Sequence, residues 1–101
     1  MSTTQLRRYN LPLDHDEQDR WVAWWRALSE PRQQYGFTIL FAFLDREKGE
    51  FTWAVRHDGE DFDAVEAEYN ASPERTEVMS RPKPDIRLDR VAKVEVVVAP
   101  S

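Results

Sequence analysis

The spacing of apolar and polar residues in the first third of the chain predicts one strand followed by one helix. Gln5–Leu11 is predicted to be a strand, which Pro12 ends because proline cannot donate to a strand ladder. Asp14 is a favourable N-cap for the helix that follows. Four large apolar residues then recur at i, i+3, i+4 and i+7, the spacing of one helix face: Trp21, Trp24, Trp25 and Leu28. Ser29-Glu30-Pro31 is expected to end the helix, with an additional turn starting at Pro31 as the alternative.

The middle of the chain predicts a hairpin and a second helical region. Phe37–Asp45 and Glu50–Arg56 are rich in strand-forming residues and are separated by a short polar turn with a glycine. A helix is expected from Phe62, where apolar residues again keep a helical spacing. Ser72-Pro73 predicts the start of a further short helical segment, with serine as its N-cap and proline at its first position.

The end of the chain predicts one more strand and thereby a fold. Arg81-Pro82-Lys83-Pro84 is expected to be extended, and Val91–Ala99, which carries several valines, to be the last strand. The order β-α-β-β-α-β is that of the ferredoxin-like, or split βαβ, motif. The sequence therefore predicts an α+β fold in one domain, residues 1–101, whose four-stranded antiparallel sheet carries its helices on one face.

The second predicted strand is apolar on both of its faces. In a regular strand Phe37, Ile39, Phe41 and Phe43 would share one face, and Leu40, Ala42 and Leu44 the other. Because helices cover only one side of such a sheet, a second apolar face predicts an interface. We expect a homodimer in which two bare sheet faces meet.

Composition and charge narrow the classes of function. The chain has 14 basic and 19 acidic residues, a net charge of −5, and lacks the basic patch that nucleic-acid binding normally requires. It has no cysteine, which excludes disulfides and cysteine-ligated metals. Neither a signal peptide nor a membrane-spanning run is evident, so a cytoplasmic protein is expected.

Several segments together resemble the NIPSNAP-like family. Leu6-Arg7-Arg8-Tyr9-Asn10-Leu11 is similar to the strand that begins such domains, and Phe51-Thr52-Trp53-Ala54-Val55-Arg56 is similar to a later strand. Tyr69-Asn70-Ala71-Ser72-Pro73-Glu74 looks like the family's Y-x-x-S-P-x-W segment, although Arg75 and Thr76 stand where its tryptophan is expected. The resemblance extends from Leu6 to Ala99 and implies a dimeric α+β barrel. That superfamily includes small cofactor-independent monooxygenases, isomerases and haem-degrading enzymes, but the family supplies no catalytic motif to carry over.

Three residues are candidates for catalysis. Arg8 and Arg56 fall on adjacent central strands, where two guanidiniums could bind a carboxylate or a developing enolate. The alternative is that each pairs with an acid or reaches solvent. His57 follows strand three and could act as a general base, oriented by Asp58 or Asp61, although either acid could simply cap the next helix.

Four aromatic residues are candidates for ligand binding: Trp53, Tyr9, Trp24 and Phe41. Trp53 is on a strand and could face an enclosed pocket, whereas a tryptophan stripe on a helix is more often core. His15 and His57 do not have metal-ligand spacing, so no metal is expected, and no cofactor is predicted either.

Two functions therefore remain open. The chain either binds a small aromatic or apolar ligand between sheet and helices, with cofactor-independent monooxygenase or isomerase chemistry as an option, or it is a non-enzymatic dimeric module. The sequence leaves open whether it is an enzyme.

Overall fold

The computed structural model describes residues 2–59, 61–82 and 86–98. Four strands form one antiparallel sheet in the order β2-β3-β1-β4. They are β1 (Thr3–Asn10), β2 (Phe37–Asp45), β3 (Glu50–His57) and β4 (Arg87–Val94). Three helices accompany them: α1 (His15–Arg32), α2 (Phe62–Asn70) and α3 (Pro73–Met79). The predicted ferredoxin-like α+β arrangement is confirmed.

The core lies between one sheet face and the helices. It is largely aromatic: the Trp21 ring of α1 lies 4.8 Å from Tyr9 and 5.6 Å from Phe51, and Trp25 lies 5.5 Å from Trp53. Burying such large rings supplies most of the hydrophobic stabilisation that a chain of this size can obtain. We call the opposite side of the sheet the open face; it carries Leu6, Arg8, Thr52, Ala54 and Arg56.

The predicted N-caps are confirmed. Asp14 accepts hydrogen bonds from the backbone N–H groups of Asp16 and Glu17, at 2.8 and 3.3 Å, at the start of α1. Ser72 accepts from the N–H of Arg75 at the start of α3, where Pro73 occupies the first turn.

The predicted end of the first helix is wrong, because α1 continues through Pro31 to Arg32. Ser29 and Arg32 follow Trp25 at i+4 and i+7 and are both buried, so the buried stripe extends one turn further than its apolar residues. Pro31 is next to last in the helix, where the lost N–H removes one terminal hydrogen bond only. A 3₁₀ turn, Gln33–Tyr35, then leads to Gly36, whose φ of 88° favours glycine.

The predicted single face for Phe37, Ile39, Phe41 and Phe43 is wrong, because β2 is bulged. The pairing register with β3 shifts between Ile39 and Phe41, which leaves Leu40 as an extra residue. Directly opposed residues share a face, so Ile39, opposite Val55, lies on the helix side, whereas Phe41, opposite Ala54, lies on the open face. Both faces of β2 are still apolar, but the odd-numbered residues lie on the helix side before the bulge and on the open face after it.

The predicted last strand is also displaced: β4 spans Arg87–Val94 rather than Val91–Ala99. Val94 pairs with Thr4, next to the start of β1, so residues beyond it have little of β1 left to pair with. The segment 95–98 instead lines a hollow with Leu6, Phe41 and Ala54. Ala99, and Lys83 and Pro84 of the predicted extended loop, lie outside the described residues.

Candidate functional site

Arg8 and Arg56 share the open face but do not converge. Arg8 pairs across the sheet with Thr52, and Arg56 with Thr4, so their positions are about 13 Å apart along the strands. The Arg8 Nε lies 2.7 Å from the Asp89 carboxylate, and the Arg56 Nε lies 2.9 Å from that of Asp58. Each guanidinium therefore has its own acid, which is the structural alternative foreseen from the sequence.

His57 is held by its own loop. Its Nδ1 accepts a hydrogen bond of 2.9 Å from the N–H of Gly59, and its ring lies 5.2 Å from that of Phe37. Neither candidate partner orients it: Asp58 pairs with Arg56, and Asp61 caps α2 by accepting from the N–H of Ala64 at 3.0 Å.

Two of the four aromatic candidates do not line a cavity between the sheet and the helices. Trp24 packs in the core with its ring 5.4 Å from Trp21. Phe41 is exposed on the open face, where its ring stacks on Phe43 at 5.6 Å. Tyr9 and Trp53 are different, because both line a cavity between the sheet and the helices.

This cavity, of about 100 Å³, is where aromatic and cationic side chains meet. The sheet contributes Arg7, Tyr9 and Trp53 to its walls. The helices contribute the rest: Trp25, Leu28, Ser29, Arg32, Asn70 and Arg75. We call this space the arginine–tryptophan cavity.

Arg32 is the most unusual residue of the cavity because it is a charged side chain with only 4% of its surface exposed. Its guanidinium carbon lies 4.5 Å from the ring centre of Tyr69, 4.8 Å from that of Phe37 and 5.5 Å from that of Trp53. These rings stabilise the cation through their faces, but a ring face does not replace a hydrogen-bond acceptor.

Three buried N–H donors on cavity-lining residues have no hydrogen-bond partner among the described residues. They are Nη1 of Arg32, Nε1 of Trp25 and Nε1 of Trp53. A buried polar group without a partner costs about 1–3 kcal/mol, and buried polar groups in proteins usually have one. All three groups are donors, and no acceptor among the described residues forms a hydrogen bond with them.

The charge of the cavity is predominantly positive. Arg7 donates from its Nε to Gln5 at 2.8 Å and forms an ion pair with Glu66, whereas Arg32 and Arg75 form no ion pair with the described carboxylates. Burial, followed by the positive charge of Arg7, lowers the pKa of Arg32 from its ordinary value. One carboxylate therefore faces three guanidiniums.

Tyr69 packs against Arg32, whose guanidinium carbon lies 4.5 Å from its ring centre. It is fully buried, and its hydroxyl donates to the carbonyl oxygen of Leu28 in α1. Burial raises the pKa of Tyr69, while the charges of Arg32 and Arg75 and a hydrogen bond with Arg32 oppose that rise. The phenol thus stays neutral at ordinary pH and fixes α2 against α1.

Sequence reasoning missed the arginines of this cavity. Arg32 falls at i+7 from Trp25, so it would have been placed on the buried stripe if the helix had been continued past Pro31. Arg7 alternates with Arg8 along β1, but only the pairing register shows that Arg7 lies opposite Trp53 on the helix side. In the sequence, Arg75 is evident only as a departure from the tryptophan expected after Ser72-Pro73.

The described residues hold no group of three or more His, Asp or Glu side chains placed to bind a metal ion. In the same part of the chain, no helix has the length and apolar character needed to cross a membrane.

Comparison with known proteins supports the fold and little else. No protein-family model matches the chain. No curated protein matches it either. The chain is similar in structure to Rv0793 from Mycobacterium tuberculosis, with a TM-score of 0.63 and 14% sequence identity over 100% of both chains. This likeness supports the α+β fold; the dimeric barrel and the NIPSNAP-like resemblance stay predictions.

Proposed function

We propose that this chain is a small-molecule-binding protein whose ligand occupies the arginine–tryptophan cavity. The observation that carries the proposal is the buried Arg32, whose Nη1 lacks a partner beside two tryptophans whose indole N–H groups also lack one. Buried polar groups in proteins usually have a hydrogen-bond partner, so three unsatisfied donors on residues around one hollow support a ligand there. A ligand that accepts hydrogen bonds would remove that cost.

Binding is favoured over catalysis by the composition of the walls. The described residues that line the cavity include no carboxylate and no imidazole, the side chains that most often act as general bases. The arginines could still stabilise negative charge on a phenolate or enolate during cofactor-independent oxygenation or isomerisation. Oxygen consumption during turnover of a bound ligand would support that further step.

A thermal-shift and tryptophan-fluorescence screen with single-ring aromatic compounds tests the proposal. Ligands should raise the melting temperature and change the emission of Trp25 and Trp53. Trp53→Phe should weaken binding, whereas Phe43→Leu, a matched apolar change on the open face, should not. If no compound shifts the melting temperature, or if only Phe43→Leu weakens binding, the cavity is not the site.

We also propose that the open face pairs with a second copy of the chain. Support comes from its exposed apolar side chains: Phe43 is 56% exposed, and Val97 and Val98 in the segment after β4 are 90% and 85% exposed. Light scattering should then return twice the 11.9 kDa chain mass. Phe43→Glu should shift it to the monomer, while Met79→Glu, at an exposed apolar position at the end of α3 on the helix side of the sheet, should not. A monomeric wild type would exclude the dimer.

The alternative function is a dimeric module without a ligand. It shares the open-face interface but predicts that variants of Arg32 leave every binding measurement unchanged. Binding measurements on cavity variants therefore distinguish the two proposed functions, whereas the oligomeric state does not.

A further inference from the structure

We infer that the arginine–tryptophan cavity binds the carboxylate group of a small aromatic acid, with Arg32 as its principal ligand. This inference rests on the proposed function, since it assigns a chemical class to the occupant of the same cavity. It goes further by identifying which group of the ligand is recognised.

The unpartnered donors of the cavity favour a ligand group that only accepts hydrogen bonds. Nη1 of Arg32 and Nε1 of Trp25 and Trp53 can only donate, so they call for an acceptor with more than one lone pair. A neutral amide or hydroxyl would bring donors of its own into a space already rich in donors. A carboxylate offers two acceptor oxygens and no donor.

The positive charge of the cavity favours an anionic ligand group. Arg32 is buried and unpaired, and the positive charge of Arg7 lies close enough to disfavour its protonated form. Arg75 adds a third guanidinium, without a described ion-pair partner, at the same cavity. Glu66 offsets only one of the three charges. An anion would compensate a buried cation that the described residues leave unpaired.

The size and the flat aromatic walls of the cavity favour a planar ligand. A cavity of about 150 Å³ is enough to hold a benzene ring, and this one measures about 100 Å³. It therefore has room for a carboxylate and part of one ring. The flat walls of Tyr9, Trp25 and Trp53 suit a planar acid better than a tetrahedral phosphate.

Calorimetric titration with benzoate and with benzamide, its neutral counterpart of the same shape, tests the inference on the wild-type protein. Benzoate should bind at least tenfold more tightly than benzamide. Arg32→Met should weaken benzoate binding about 10- to 100-fold, the range for a lost hydrogen bond to a charged group. Arg20→Met, the same substitution at a side chain of α1 that is 72% exposed, should bind benzoate as the wild type does.

The outcomes separate the two claims. If benzamide binds as tightly as benzoate, or if Arg32→Met keeps the wild-type affinity for benzoate, the carboxylate assignment is overturned while the cavity still binds ligands. If neither compound binds, the proposed function fails as well. Inorganic phosphate should bind more weakly than benzoate, and tighter phosphate binding would overturn the choice of a carboxylate. The comparison of the two ring compounds needs only wild-type protein, so it does not depend on how the variants fold.

Discussion

Replacing Arg32 with methionine is expected to make the ligand-free protein more stable, although it should weaken the binding of anions. Methionine has a similar length, carries no charge and makes favourable contacts with aromatic rings. It would fill the space among Phe37, Trp53 and Tyr69 without leaving a buried donor unpaired. The side chain that weakens the fold is therefore the one proposed to serve the ligand.

The size of the effect follows from the contacts of Arg32. The unpaired Nη1 costs about 1–3 kcal/mol, and burial of the cation beside Arg7 adds to that cost. Cation–π contacts offset about 2 kcal/mol when desolvated, but the sulfur–aromatic contacts of methionine recover about 0.3–1.5 kcal/mol. We expect a net gain of about 1–2 kcal/mol in the free energy of unfolding. For a domain of this size, that corresponds to a rise of about 4–16 °C in melting temperature.

Urea unfolding followed by tryptophan fluorescence, at one protein concentration, measures this difference. Arg20→Met is the matched control, because Arg20 is exposed and its ion-pair partner among the described carboxylates is Glu17, at 3.2 Å. The free energy of unfolding of this variant should differ from the wild type by less than about 0.5 kcal/mol. A loss of about 1 kcal/mol or more in Arg32→Met would refute the reasoning. The guanidinium would then be a structural element and not a cost retained for a ligand.

Three further predictions concern the framework. Gly49→Ala should lower the free energy of unfolding by at least about 2 kcal/mol, because φ is 65° at this position and a Cβ would lie 2.5 Å from the Leu11 carbonyl oxygen. A loss below about 0.5 kcal/mol in urea unfolding would contradict this. Gln18→Leu should cost about 2–3 kcal/mol, since the buried Nε2 donates to the carbonyls of Pro12 and Arg46 at 3.0 and 3.1 Å. Gln34→Leu, at an exposed position, should be nearly neutral. Equal effects of the two substitutions would show that these hydrogen bonds of Gln18 do not stabilise the fold. Tyr69→Phe should lose about 1 kcal/mol at pH 8 through the missing bond to Leu28. Burial raises the folded-state pKa of Tyr69, so its contribution is complete below the ordinary value of about 10 and is lost as pH rises through the folded-state pKa. The difference between the two proteins in urea unfolding should therefore shrink as pH rises above about 10; a constant difference would contradict the raised pKa.

The fold could be predicted because its signals are local. The tryptophan stripe of α1, the caps at Asp14 and Ser72 and the hairpin turn each depend on residues close in sequence. Their order then selects the ferredoxin-like arrangement. The wrong predictions concern features that depend on how strands pair with each other. The bulge at Leu40 moves the later residues of β2 to the opposite face, and the register against β1 sets the end of β4 at Val94.

The candidate site was predicted only in part, for a related reason. Tyr9 and Trp53 were singled out as aromatic residues on strands, and they do line the cavity. Arg8 and Arg56 were preferred over Arg7 because the register that places Arg7 opposite Trp53 is a tertiary property. Arg32 was missed because Pro31 was taken as a stop, although a proline so near a helix end can be accommodated when the next residue is buried.

The most direct test of the account is a crystal structure of the protein grown with benzoate. The account predicts density for the acid in the arginine–tryptophan cavity, with a carboxylate oxygen within about 3.2 Å of Nη1 of Arg32. Benzoate bound on the open face beside Phe41 and Phe43, or a cavity left without it while Arg32 turns to a protein acceptor, would contradict the account.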